Sequence, residues 1–334
     1  MTVSEAPAAS DPRKGIAFIL LGMLCISVND VLIKRLSGDY PLHEMIFARS
    51  AIGLAVSLAI LQFEGGFRQL RTARPFLHLL RGLLVVMANM TYFTALAVLP
   101  LAEATALFFV APLFITVLSV PLLGERVGPF RMAAVVVGFG GVLLMLRPAG
   151  GAGGAGEADG AGVERLTLLL PIVSALFYAC FQILTRRLGA ASKASAMAVY
   201  IQCTFIAVSL AFFLAAGHGR FAEGVENESL RFLLRAWYWP ATEDLWLFLA
   251  LGLVSGFVGY CLSQAYRSAE AAVVAPFEYV ALPLAIFWGW SIFGHLPGPW
   301  VTAGIALIVG AGLTVFLRER RRGRSAARRP LRRW

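Results

Sequence analysis

Hydrophobic runs of roughly 20 residues, separated by short polar breaks, follow one another along almost the whole chain. A helix needs about 20 apolar residues to cross roughly 30 Å of hydrocarbon. Ten segments meet that length: 15–36, 42–62, 75–98, 101–123, 128–147, 166–187, 195–216, 244–267, 270–293 and 299–318. The pattern also repeats. At a shift of 152 residues, 24–58 aligns without a gap on 176–210, pairing Leu32 with Leu184 and Lys34-Arg35-Leu36 with Arg186-Arg187-Leu188. In the later helices the shift becomes 170, because the loop between spans seven and eight is longer than its counterpart. That register pairs Gly82 with Gly252, Ala95 with Ala265, Gly124 with Gly294 and Gly128-Pro129 with Gly298-Pro299.

Each copy holds five spans, and five is odd, so the second copy must enter the membrane opposite to the first. The predicted fold class is an all-α integral membrane protein of ten transmembrane helices, built from two inverted five-helix repeats. Secondary transporters use this architecture to place a substrate site near the bilayer midplane. The expected segments are a cytoplasmic tail (1–14), a first repeat (15–147), a Gly-rich tether (148–164), a second repeat (165–318) and a basic cytoplasmic tail (319–334).

Composition agrees with a membrane protein. The 334 residues are 59% hydrophobic and 14% charged, with mean hydropathy +0.76, more apolar surface than a soluble domain of this length can bury. The first span carries Asn29, Asp30 and Lys34 and lacks a small-residue cleavage pattern, so it reads as a permanent helix. In a soluble protein the net charge of +10 would suggest nucleic acid. Here the cations sort by loop. With the N-terminus inside, 21 Lys and Arg fall on the cytoplasmic side against 7 outside, with Arg49 intramembrane. The positive-inside rule then puts both termini in the cytoplasm, in the cell inner (cytoplasmic) membrane. The tail from Arg318 onward is expected to be disordered and to associate with anionic lipid, with no nucleic-acid partner. The loop 218–244, rich in Trp, Tyr and Leu, is expected to form a short amphipathic segment on the outer leaflet.

Familiar catalytic and cofactor patterns fail on context. Gly151, Gly153 and Gly156 satisfy GxGxxG, yet no strand precedes them. Walker A and HExxH motifs are lacking, and His43, His78, His218 and His295 are scattered. The four cysteines lie singly in hydrophobic spans and read as packing thiols. No cofactor, metal site or catalytic residue is expected.

Ionisable groups inside hydrocarbon are costly and mark function by default. Asp30 and Arg49 share a depth in the outer half of spans one and two; they read as a charged cavity lining, or as a structural pair, with Lys34 one turn from Asp30 as an alternative partner. Glu278 and Arg81 share a depth on the cytoplasmic side. Glu278 there either pairs with Arg81 or Arg267 or exchanges protons. Glu103, in the first turn of span four, is expected to stay near water. Asn89 and Tyr92 in span three, Ser174, Tyr178 and Gln182 in span six, and Tyr260 and Gln264 in span eight give each half a polar face, for interhelical bonding or for a substrate. Candidate substrate-binding residues are therefore Asp30, Arg49, Arg81, Asn89, Tyr92, Tyr178, Gln182, Tyr260, Gln264 and Glu278.

The stretches ALAVLPLAEATALFFVAPLFITVLSVPLLGERV (95–127) and AYRSAEAAVVAPFEYVALPLAIFWGWSIFGHLP (265–297) resemble the two signature segments of the EamA family, in the drug/metabolite transporter superfamily. Asp30-x-x-x-Lys34, Arg49 and Arg81-Gly82 further resemble the subgroup of bacterial riboflavin and S-adenosylmethionine uptake proteins. Gly124-Glu125 matches a family Gly-Glu at the end of the fourth helix of a repeat, whereas the second copy reads Gly294-His295. The resemblance implies a carrier or exchanger of a small polar metabolite, with a central cavity formed mainly by spans one, three, four, six, eight and nine. A proton or a counter-substrate is compatible as the coupling partner. The competing reading, a membrane enzyme on a lipid-soluble substrate, calls for an acid, metal-ligand or nucleophile cluster near one face; the sequence lacks one.

Overall fold

The computed structural model describes residues 12–63, 65–72, 74–124, 127–146, 165–188, 194–268 and 274–327. The tether expected at 148–164 lies outside the described residues. The helices are α1 (Pro12–Leu36), α2 (Leu42–Phe63), α3 (Pro75–Leu96), α4 (Leu101–Phe108), α5 (Ala111–Leu123), α6 (Pro129–Met145), α7 (Arg165–Leu188), α8 (Ala194–Ala216), α9 (Glu228–Leu234), α10 (Leu245–Ser268), α11 (Ala281–Phe293) and α12 (Pro299–Ala327). Among the described residues, seven helical stretches are long and apolar enough to cross a membrane, one of them running through α4 and α5. Met132–Met145, Phe277–Phe293 and Pro299–Val315 are shorter apolar helices.

Two of the apolar runs are interrupted. Between α4 and α5 the chain turns at Phe109 and Val110, and Pro112 offers no N–H to the carbonyl of Phe108, four residues back. In the other run, Ala275–Val280 is 3-10 helix and joins directly onto α11. The rings of Phe109 and Tyr279, at the two interruptions, meet with centroids 5.4 Å apart. Both α5 and α11 then end in a glycine with left-handed backbone, Gly124 (φ 68°) and Gly294 (φ 72°). That conformation is nearly free of strain only for glycine and closes the last turn.

Helices from the two halves of the chain pack on one another: α1 on α10, α3 on α7, α2 on α8 and α10, and α6 on α12. Glycines permit the closest approaches. A Cβ on Gly82 of α3 would collide with the Thr204 side chain of α8, and one on Gly252 of α10 with Ile52 of α2. Overpacking of this kind costs about 1–3 kcal/mol. Gly82→Ala and Gly252→Ala are therefore expected to lower the thermal unfolding temperature of the purified protein. Because the Cβ atoms of both partners are themselves too close, Thr204→Gly should relieve the first and Ile52→Gly the second beyond its own helix cost, with no relief when the pairs are crossed; equal rescue by either partner would refute these contacts.

The aromatic loop, expected on the outer leaflet, packs in part on protein. Phe232 of α9 is 1% exposed and joins the main core. Trp237 meets Phe47 and Phe213 edge-on at 5.2 and 4.8 Å. Arg235 donates to the carbonyls of Ser37 and Gly38, and Tyr238 Oη to that of Asp39. Tyr40 Oη donates to Asp244 Oδ2 at 2.7 Å and accepts from the Ala241 amide at 2.9 Å. Burial, followed by the Asp244 carboxylate, pushes the Tyr40 phenol up to about 12. The physical reason for this docking is that the turn between α1 and α2 exposes backbone carbonyls, and the loop supplies the donors that satisfy them.

Two further expectations are corrected. Helix α12 continues through Ala327, in place of the disorder expected from Arg318; residues 328–334 lie outside the described set. Glu103, expected near water, is 2% exposed, because α4 is enclosed by α7, α11 and α3.

Candidate functional site

A cavity of about 370 Å³ opens in the middle of the bundle. Its wall includes Ser27, Asn29 and Asp30 of α1, Arg49 of α2, Asn89 and Tyr92 of α3, and Thr105 of α4. The wall is completed by Ser174 and Tyr178 of α7, Gln202 of α8, Ser255 of α10 and Glu278 before α11. Phe93, Phe108, Phe109 and Phe205 supply aromatic surface between the polar groups. Pockets that are mostly apolar with a few placed polar groups suit small molecules.

The carboxylate of Asp30 is held from two sides. Asn29 Nδ2 donates to Oδ1 and Tyr92 Oη to Oδ2, both at 3.2 Å. Tyr92 Oη also lies 3.1 Å from Thr105 Oγ1. The guanidinium of Arg49 lies near two rings, its carbon 5.3 Å from the Phe93 centroid and 5.2 Å from that of Phe205. Nη2 makes a long 3.5 Å bond to Asn89 Oδ1, and Asn89 Nδ2 is anchored on the Val85 carbonyl at 3.0 Å. Asp30 and Arg49 attract one another through the field, while their hydrogen bonds go to different partners. Among the described residues, two buried atoms of this set have no hydrogen-bond partner, Asn29 Oδ1 and Arg49 Nε. An unmade bond on a buried polar atom is costly, and both atoms are closed off from solvent in this conformation.

Lys34, the alternative partner for Asp30, donates to the carbonyls of Leu96 and Leu99 at 3.0 and 2.7 Å. It thereby bonds the end of α3, as basic groups do at helix C-termini. Glu278 lies close enough to Tyr178 and Tyr279 for its charge to act on both phenols.

Six of the ten sequence candidates line the cavity: Asp30, Arg49, Asn89, Tyr92, Tyr178 and Glu278. Gln182 stands one step behind, donating to Tyr178 Oη at 2.7 Å. Three lie away from the wall. Arg81 donates through Nε to Thr185 Oγ1 at 2.7 Å and packs over the Phe181 ring. Tyr260 meets Phe18 edge-on at 6.0 Å and is 37% exposed. Gln264 shares the helix of Tyr260, whose cavity face is instead Ser255, Val258 and Leu262. Helical spacing fixes which residues share a face, but the rotation of α10 is set by its packing on α1 and α2. Ser174 acts as interhelical glue as well, donating to the Ala88 carbonyl at 2.6 Å.

Sequence reasoning missed Gln202, Asn29 and Thr105. The signal for Gln202 was present, an amide in an otherwise apolar span. What admits it to the wall is Gly53, one turn from Arg49, where a Cβ would sit 2.6 Å from Gln202 Nε2.

Comparison with known proteins agrees with a membrane transporter. The sequence model of the EamA-like transporter family matches residues 13–147. A riboflavin transporter of Rhizobium johnstonii is 32% identical over 313 residues, covering 94% of this chain and 91% of its own. An S-adenosylmethionine uptake transporter of Rickettsia prowazekii is 27% identical over 307 residues, covering 92% and 94%. A solved crystal structure shares the fold at TM-score 0.62 and 22% identity, over 92% of this chain and 98% of that one. These relatives are named as transporters and not as enzymes. With a relative above 30% identity along nearly the full length, and a cavity of mixed polar and aromatic groups inside an apolar bundle, this chain belongs to the EamA-like transporter family.

Proposed function

We propose that the protein is a secondary carrier or exchanger, formed by two inverted five-helix repeats, that moves a small polar metabolite across the cytoplasmic membrane by alternating access. The observation that carries this reading is a matched pair of contacts. The shifts of 152 and 170 turn Gly82 against Thr204 into Gly252 against Ile52, and both approaches occur. The same register relates Phe109 to Tyr279, the starts of α5 and α11, and the left-handed Gly124 and Gly294. Two packed halves related in this way have two equivalent arrangements about a central site, the basis of alternating access.

For the substrate we favour a flat heterocycle with hydrogen-bonding edges. The aromatic wall supplies faces for stacking. Gln202 and Ser255 on the wall can each donate and accept hydrogen bonds, and Asp30 and Glu278 add negative charge. Relatives named for riboflavin and S-adenosylmethionine agree with that class. Purified protein in liposomes should take up one such labelled compound with saturable kinetics and exchange it against unlabelled compound. Flux that rises linearly with concentration would sink the carrier reading.

Orientation is tested separately. From the charge bias of the loops, both termini lie in the cytoplasm and the tether outside. Alkaline phosphatase fused at Gly156 should be active and at Trp334 inactive, with a fluorescent protein reporting the reverse. Activity at Trp334 would overturn the odd-span inverted repeat.

A further inference from the structure

Arg81 is 5% exposed and lies away from the central cavity wall, in the second turn of α3. Thr185 Oγ1 accepts from its Nε at 2.7 Å and donates to the Phe181 carbonyl at 2.8 Å. The Phe181 ring lies 4.7 Å from the guanidinium carbon. These contacts fix the plane of the guanidinium and use one of its five N–H groups. Among the described residues, Nη1 and Nη2 make no hydrogen bond and no carboxylate pairs with Arg81. His78, one turn earlier on the same face, feels the Arg81 charge and stacks on Tyr200 at 4.9 Å. Among the described residues, the surroundings therefore supply a ring face, a hydroxyl and an imidazole, but no anion.

The contrast with Arg49 is informative, since Arg49 has Asp30 in its field. An aromatic face and a neutral hydroxyl attract a cation without neutralising it. A guanidinium held in one plane with both Nη groups open is the geometry that takes two oxygens of a phosphate or carboxylate. We propose that Arg81 anchors a second anion site, separate from the central cavity and near the end of the bundle where α1 and α3 begin. Its ligand is a phosphate group, from a phospholipid headgroup or from a soluble phosphate. Thr185 is the positioning residue, because it sets the guanidinium plane. The site does not depend on the transport reading.

The test uses thermal unfolding of the purified full-length protein in neutral detergent, in two arms. One compares phosphatidylglycerol with a phosphate-free glycolipid at equal mole fraction; the other compares sodium phosphate with sodium chloride at equal ionic strength. A ligand that binds only the folded protein raises its unfolding temperature, and a rise of about 2–4 °C is expected in at least one arm. A rise with phosphatidylglycerol alone assigns a lipid headgroup, and a rise with inorganic phosphate assigns a soluble anion. Arg81→Gln should abolish the rise, Thr185→Val should reduce it, and Arg49→Gln should leave it intact. If Arg81→Gln does not fold, Thr185→Val carries the test, because it keeps the charge and releases the plane. No rise in either arm, or a rise that survives Arg81→Gln or is undiminished in Thr185→Val, overturns the proposal.

Discussion

Asp30→Asn and Arg49→Gln should each cut saturable uptake by about tenfold or more, and the double variant should lose clearly less than the product of the two losses. A charge deep in a membrane helix costs about 2.5–3.5 kcal/mol on insertion scales, and 1.4 kcal/mol is already a factor of ten. Here each charge is held separately. Asn29 and Tyr92 bond the carboxylate, and Asn89, Phe93 and Phe205 contact the guanidinium. What the two share is the field across the cavity wall. Removing one charge leaves the other unbalanced, and removing both restores neutrality. A coupling free energy of about 0.5–3 kcal/mol is expected from a double-mutant cycle on uptake. Strict additivity would mean that the two do not interact. A Tyr92→Phe variant gives the intermediate case, since it removes one donor from Asp30 and keeps the ring.

Glu278→Gln should abolish uphill accumulation driven by a pH gradient while leaving binding and exchange of labelled substrate largely intact. The glutamine keeps the shape and the hydrogen-bonding capacity of the side chain and removes its titration. Exchange moves no net proton, whereas concentrative uptake coupled to protons requires a group that takes one up and gives it back. Glu278 is the acid of the 3-10 segment and lines the cavity, with the phenols of Tyr178 and Tyr279 in its field. The alternative, an ion pair with Arg81, predicts a less stable Glu278→Gln protein partly rescued by Arg81→Gln. The contacts of Arg81 with Thr185 and Phe181 argue against that rescue. Uptake with an unchanged pH dependence in a stable Glu278→Gln protein would remove the residue from coupling and leave it a wall residue.

The two predictions divide the cavity between them. Asp30 comes from the C-terminal half of α1 and Arg49 from the N-terminal half of α2, and Glu278 from the interruption in the ninth apolar run. An interrupted helix in a membrane leaves polar backbone that must face protein or a cavity. Both interruptions contribute ring residues to the cavity region: Phe109 lines it, and the tilted ring of Tyr279, next to Glu278 in the chain, packs on Phe109. The sequence marked them only indirectly, through Pro112, Pro276 and Pro283 inside otherwise continuous apolar runs.

Several features are legible in the amino-acid sequence because they depend on local pattern. Apolar run length determined the helices, since an unpaired backbone group in hydrocarbon is too costly for anything else that is not a closed barrel. Asp30, Arg49 and Glu278 stood out because charge is rare inside such runs. Asn89, Tyr92 and Tyr178 followed from helical spacing. The resemblance at 95–127 and 265–297 pointed to the family that the full-length relatives then established.

Other features were decided by the tertiary structure alone. The direction in which each polar face points depends on helix rotation, and in a uniformly apolar span all rotations cost nearly the same until neighbours pack. That is why Tyr260 and Gln264 fall away from the wall and Gln202 enters it, where Gly53 leaves room. The aromatic loop followed the same rule, since its docking rests on the carbonyls of the turn after α1 that it satisfies. Arg81 went to Thr185 and Phe181, partners about a hundred residues distant in the chain, which no local pattern encodes. The sequence by itself determined which segments are apolar enough to form long helices and which rare groups go with them. The packing of helices from opposite halves decided which of those groups meet, because contacts between distant residues depend on three-dimensional fit and not on spacing.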